Sequence, residues 1–176
     1  SYLSNHPDVD KGRIYLAGAS NGGGMVLTMG ATYPDYFAAL IPISAPLTLD
    51  QSGIDKLKNQ PMWLIHTKSD ATVQPENSAL PLYKSLISSG ATNKWFSYFE
   101  TATGTDLPGT VYDGHWAWIY FFHDQVIGVQ HPENTKNWDE YSGMVATDPT
   151  NGGGSRASVN GQTYNSIFDW MSAQRH

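Results

Sequence analysis

Three side chains in this sequence have the types and the order that nucleophilic hydrolysis requires. Ser20 lies in Gly18-Ala19-Ser20-Asn21-Gly22-Gly23-Gly24, Asp70 follows the apolar run Met62–His66, and His115 lies in Tyr112-Asp113-Gly114-His115-Trp116. A serine hydroxyl is a poor nucleophile unless an imidazole takes its proton and a carboxylate orients that imidazole. The segment around Ser20 fits G-x-S-x-G, in which a strand turns sharply into a helix and holds the serine clear for attack. The helix N-terminus favours a developing oxyanion, and the backbone N–H of Asn21 is the donor the pattern offers. A phosphate-binding turn is the competing reading. The segment lacks both the Lys-Ser/Thr ending of a P-loop and G-x-G-x-x-G.

Each role has rivals. Asp106 and Asp113 compete with Asp70, which could instead cap a helix or turn, but both rivals sit in the long loop after the last expected strand. Asp70 comes just after an apolar strand, where a parallel sheet carries its functional loops. Among the other histidines, His66 falls inside the apolar run and reads as packed or as a donor behind the site. His6 and His176 are at the ends, and His123 and His131 follow no strand. A glycine before His115 is expected to let its ring swing over Ser20. Trp116 and Tyr112, with Trp118 and Tyr120, could line an apolar acyl or aryl pocket, and the last two could equally pack the core. No group of histidines and carboxylates has metal-binding spacing, so no metal and no cofactor is expected.

The elements that must position these residues follow from apolar period and chain breakers. Residues 13–19 read as a buried strand, 21–33 as a helix ended by Pro34, and 38–44 as a second strand interrupted by Pro42. A short helix is expected within 49–59, a strand over 62–66, a helix over 76–89 closed by Gly90, and a strand over 95–99. Residues 101–114 read as loop, 116–122 as a short buried helix, and 167–173 as a last helix. Between them, 128–162 is rich in Gly, Asn, Pro and Asp, with Asn151-Gly152-Gly153-Gly154 expected to be mobile. Strands alternating with helices imply βαβ units and a parallel sheet covered on both faces.

The chain of 176 residues, 40% of them hydrophobic and 12% aromatic, can bury a core. A formal charge of −6 with scattered Lys and Arg gives no basic patch for nucleic acid. No stretch is long and apolar enough to span a membrane, and Ser1–Pro7 lacks a basic-then-apolar leader pattern. With no cysteine, disulfides and thiolate chemistry are excluded. The low charged fraction, 15%, favours a secreted or extracellular protein.

The run Asp8-Val9-Asp10-Lys11-Gly12-Arg13-Ile14-Tyr15-Leu16-Ala17-Gly18-Ala19-Ser20-Asn21-Gly22-Gly23 resembles the nucleophile elbow of α/β-hydrolases. It looks most like bacterial esterases of the prolyl-oligopeptidase, feruloyl esterase and polyhydroxybutyrate depolymerase type. Trp63–Pro75 is similar to that group's acid loop, with Thr67 where glycine is common, and Gly114-His115-Trp116-Ala117-Trp118 to its histidine loop. The resemblance implies an α/β fold with a mostly parallel sheet and helices on both faces. It also implies a serine carboxylesterase acting through an acyl-enzyme, with Ser20, Asp70 and His115 as nucleophile, acid and base. A serine peptidase of prolyl-oligopeptidase type and a catalytically silent hydrolase-fold domain are the alternatives. The resemblance places residues 1–176 in the second half of the sheet, with an insertion at 124–162. The second oxyanion donor would then lie outside this chain. The elbow strand would be an exposed edge, covered by an N-terminal companion chain from the same precursor.

Overall fold

The computed structural model describes residues 5–104, 106–148 and 151–176. Ser1–Ser4 of the segment read for a leader, Thr105 of the 101–114 loop, and Pro149 and Thr150 of the 124–162 segment lie outside the described residues.

Four apolar runs form a parallel sheet in the order β1-β2-β3-β4: β1 (Tyr15–Ala19), β2 (Ala39–Ile43), β3 (Met62–Thr67) and β4 (Lys94–Phe99). Between them run α1 (Asn21–Thr32), α2 (Gln51–Leu57) and α3 (Ala79–Ser88). Alternate strand residues feed two cores. Leu40, Met62, Leu64, Phe96 and Tyr98 meet Val26 and Leu27 of α1, Leu57 of α2, and Tyr83 and Leu86 of α3. On the other face Ile41, Ile43, Trp63, Ile65 and Phe99 meet Tyr120 of α4 (Trp118–Phe122) and Ile167 and Trp170 of α5 (Ile167–Ser172). Every residue of β2 and β3 is buried, as strands covered on both faces require.

Pro42 lies inside β2, a central strand, where proline is rare because it cannot donate to the ladder. On the β3 side, Leu40 N–H donates to Pro61 O and Ser44 N–H to Ile65 O. Residue 42 falls between these two donors, so a single bond is lost and the neighbours keep the register. At the end of α3, Gly90 takes φ +74°, the left-handed conformation that closes many helices.

Three sequence expectations need correction. Residues 101–114 hold a short antiparallel pair, β5 (Ala102–Thr103) with β6 (Val111–Tyr112). The aromatic helix is only partly buried: it starts with a 3₁₀ turn, Gly114–Trp116, and both Trp116 and Phe122 are exposed. Asn151–Gly154 packs against the sheet, with Gly152 and Gly153 buried.

The packing of Asn151–Gly154 helps to close one sheet edge. Tyr98 N–H donates to Gly152 O, Thr147 N–H to Tyr98 O, Glu100 N–H to Thr147 O, and Gln130 N–H to Phe96 O. Gln130 also donates through Nε2 to Val145 O and Gly152 O. The irregular segment therefore satisfies the outer face of β4 without forming a full strand. A further small pair, β7 (Ser158–Val159) with β8 (Gln162–Thr163), precedes α5. The opposite edge is β1. Ser20 N–H donates toward β2, so by strand alternation the backbone groups of Tyr15, Ala17 and Ala19 point away from it, and Ala17 is exposed.

Candidate active site

Ser20 joins β1 to α1 at φ +55°, ψ −123°. A non-glycine residue there is strained, by about 1–3 kcal/mol. The turn is tight because its neighbours are small. A Cβ on Gly18 would overlap the Gly22 carbonyl, and one on Gly23 would come within 2.8 Å of Ile43 O. Gly22 has open space around it, so the last glycine of the pattern is not sterically required. The first intrahelical bond of α1 is Gly24 N–H to Ser20 O. The N–H groups before it, including that of Asn21, have no helical partner and crown the helix at its positive end.

His115 reaches Ser20 from the 3₁₀ turn Gly114–Trp116. Asp113 caps that turn by accepting the His115 N–H at 2.9 Å. Gly114 is buried, and a Cβ on it would overlap the Ser69 carbonyl. The expected swing is therefore corrected: this glycine allows close packing between the histidine loop and the loop after β3. Thr67 adds to the hold by donating from its hydroxyl to Gly114 O at 2.5 Å. The Trp118 ring meets His115 edge-on, 5.5 Å between centroids.

The structure brings Ser20, Asp70 and His115 together. Ser20 Oγ lies 2.8 Å from His115 Nε2, and His115 Nδ1 lies 2.8 Å from Asp70 Oδ2. An ionised carboxylate only accepts, so Nδ1 carries the proton and Nε2 is left to accept from the serine hydroxyl. Asp70 is 2% exposed. Its Oδ1 accepts the N–H groups of Thr72 at 3.0 Å and Val73 at 2.7 Å. Burial alone would raise its pKa. Contacts with His66, the Val73 N–H and His115 outweigh that and hold it at about 2. The carboxylate is thus ionised across the neutral range.

The rivals are placed elsewhere. Asp106 accepts from the Tyr112 hydroxyl and Asp113 caps the His115 turn. His123 contacts its own helix through Ile119 O, His131 lies 3.4 Å from Glu133, and His176 bonds Lys11 O. His6 lies 4.0 Å from Asp8. Tyr112 and Trp116 stack at 5.6 Å beside His115, Trp116 being 43% exposed. Tyr120 belongs to the core and donates to Thr101 O. Among the described residues no group of three or more His, Cys, Asp and Glu could hold a metal ion. Sequence reasoning missed Thr67 as the tie to the histidine loop, because its partner Gly114 is 47 residues away.

A parallel sheet with helices on both faces and its polar loops gathered at the carboxyl edge is the C-terminal part of an α/β-hydrolase. Residues 1–104 match the family described as BAAT / Acyl-CoA thioester hydrolase C terminal, and the chain belongs to it. That match includes Ser20 and Asp70 and ends before His115. Among solved structures, a thermostable esterase is 31% identical over 70% of this chain and 31% of its own, with a TM-score of 0.58. Acylaminoacyl peptidases are also similar. One, in complex with Z-Gly-Gly-Phe-chloromethyl ketone, is 21% identical over 69% of this chain and 25% of its own, with a TM-score of 0.48. The uncomplexed enzyme from Pyrococcus horikoshii is 21% identical over 70% and 26%, with a TM-score of 0.48. The chain therefore spans about a third or less of the length of these structures. A comparison with curated proteins found no match.

Proposed function

We propose that the chain carries the nucleophile, base and acid of a serine hydrolase that cleaves carboxylic esters. The observation that supports this most is the continuous path from Ser20 Oγ through His115 to Asp70, 2.8 Å at each step, with Ser20 strained at the head of α1. In this reading Ser20 attacks the acyl carbon while His115 Nε2 takes its proton, and Asp70 holds the imidazolium that forms. The Asn21 N–H receives the oxyanion. His115 then protonates the leaving alcohol, and water releases the acyl group with the same base. The stacked rings of Tyr112 and Trp116 form an apolar wall for the acyl or aryl group.

Esters are preferred because the esterase is the neighbour that shares 31% identity. The family's description favours a second reading, a thioester substrate, on the same residues. We also propose that the outer edge of β1, which pairs with no strand among the described residues, is covered by an N-terminal companion segment that supplies the second oxyanion donor. An apolar unpaired edge is a hazard that proteins cover. The test is hydrolysis of p-nitrophenyl acetate and of a matched S-aryl thioacetate by wild type and Ser20→Ala. Wild-type turnover that vanishes in the variant supports the reading, and the ratio of the two substrates chooses between esters and thioesters. Full activity in Ser20→Ala refutes it.

A further inference from the structure

A second imidazole lies against the candidate acid, and the mechanism above does not use it. His66, on β3, is 1% exposed. Its Nε2 lies 2.8 Å from the carbonyl oxygen of Val73 and 3.2 Å from Asp70 Oδ2. Its Nδ1 is buried and has no hydrogen-bond partner among the described residues. A carbonyl oxygen can only accept, so Nε2 must carry the proton. A proton on Nδ1 would be buried with nothing to receive it, which is costly. His66 therefore presents its Nε2–H to the acid loop.

That N–H closes a ring of contacts around Asp70. The loop runs from Asp70 to Val73. Its N–H groups at Thr72 and Val73 turn inward onto Asp70 Oδ1. Its far end, the Val73 carbonyl, is pinned to the strand by His66. The same positive N–H edge faces Asp70 Oδ2, the oxygen that accepts from His115 Nδ1. Oδ1 thus has two backbone donors, and Oδ2, with the His66 ring edge 3.2 Å away, accepts from His115. Among contacts that keep Asp70 ionised, that with His66 comes first. A packed apolar residue in this slot would fill the space but could neither pin the loop nor orient the carboxylate. The other ionisable groups around the ring are Tyr98, its register partner on β4, and His115 beyond Asp70.

We propose that His66 is a positioning residue: through its Nε2–H it locks the acid loop so that Asp70 Oδ2 is aimed at His115 Nδ1. The proposal rests on the hydrolase reading for its effect on rate, but its geometry can be tested separately. Two variants separate packing from hydrogen bonding. His66→Leu keeps an apolar side chain and removes the donor. His66→Gln places an amide nitrogen near Nε2 and offers one N–H to each acceptor.

Hydrogen bonds to charged groups set the scale of the effect, about tenfold to a hundredfold. His66→Leu should lower kcat by that factor with KM little changed, the mark of a lost transition-state contribution. His66→Gln should recover most of it. Nitrogen-15 spectra of the wild-type imidazoles provide a readout independent of activity. They should show His66 protonated at Nε2 and bare at Nδ1, and His115 protonated at Nδ1. A folded His66→Leu with wild-type kcat overturns the proposal and leaves the hydrolase reading standing. So does a proton found on His66 Nδ1. Activity that survives Ser20→Ala removes the hydrolase reading instead, and the nitrogen spectra still decide the role of His66 in the loop.

Discussion

Replacing Ser20 by glycine should give a more stable protein than replacing it by alanine. Both substitutions delete the hydroxyl and its 2.8 Å contact with His115, so that loss cancels between them. What remains is the backbone. At φ +55°, ψ −123° alanine keeps the Cβ and its strain, whereas glycine removes it. The strain of a residue in such a region is about 1–3 kcal/mol. Against it stands the extra freedom glycine gives the unfolded chain, about 0.4–1 kcal/mol. Taking about 2 for the first and about 0.7 for the second leaves glycine ahead by roughly 1 kcal/mol. At an ordinary position the order is reversed, with alanine ahead by roughly 0.5–1 kcal/mol. The sign therefore reports the strain, without reference to the absolute stability of either protein. Urea denaturation with both variants fitted to a common slope measures it. A Ser20→Ala protein more stable than Ser20→Gly would show that the turn holds less strain than the about 0.4–1 kcal/mol that glycine loses to the unfolded chain, and the strained-elbow reading would fail with it.

Other expectations follow from the same geometry. Gly18→Ala should destabilise by about 3 kcal/mol because its Cβ overlaps the Gly22 carbonyl, while Gly22→Ala should stay within about 1 kcal/mol; thermal melts separate them. Asp70 has a folded pKa of about 2 against 3.8 for the free side chain. Its contribution to stability is therefore complete above about pH 4 and lost as pH falls through 2, and Asp70→Asn should flatten that acid limb in pH-dependent unfolding. Burial lowers Lys94 to about pKa 7 from 10.5. The unfolded chain then binds the proton more tightly between those values, so this lysine makes stability rise with pH from about 7 to 10.5. Its ammonium also donates to Lys58 O, Gln60 O and Thr92 O, so Lys94→Met should cost about 3 kcal/mol or more by stranding those carbonyls.

The parts legible in the sequence were those with a local physical signature. Apolar runs at Tyr15–Ala19 and Met62–Thr67, broken by glycine or polar turns, mark strands because burial on both faces demands continuous hydrophobicity. The Ser20 turn was legible because a strained position followed by a helix needs small neighbours in a fixed order. Asp70 and His115 could be chosen by their place after a strand and a loop. The cover on the β4 edge was not legible. It consists of scattered backbone bonds, one each at Gln130 and Gly152 and two at Thr147, and backbone bonds in irregular chain leave no periodic trace in side chains. For the same reason Gly152-Gly153 read as mobile, although Gly153 is glycine because a Cβ there would overlap the Val129 carbonyl. The role of Thr67 depends on Gly114, 47 residues away, which no local pattern reports.

The most direct test of the central claim is peptide mapping by mass spectrometry after treatment with a fluorophosphonate, which bonds preferentially to an activated serine. A single adduct on Ser20, lost in His115→Ala and strongly slowed in Asp70→Asn, is the predicted result. No adduct on Ser20 in folded protein, or labelling of Ser20 that is indifferent to His115, would contradict the account.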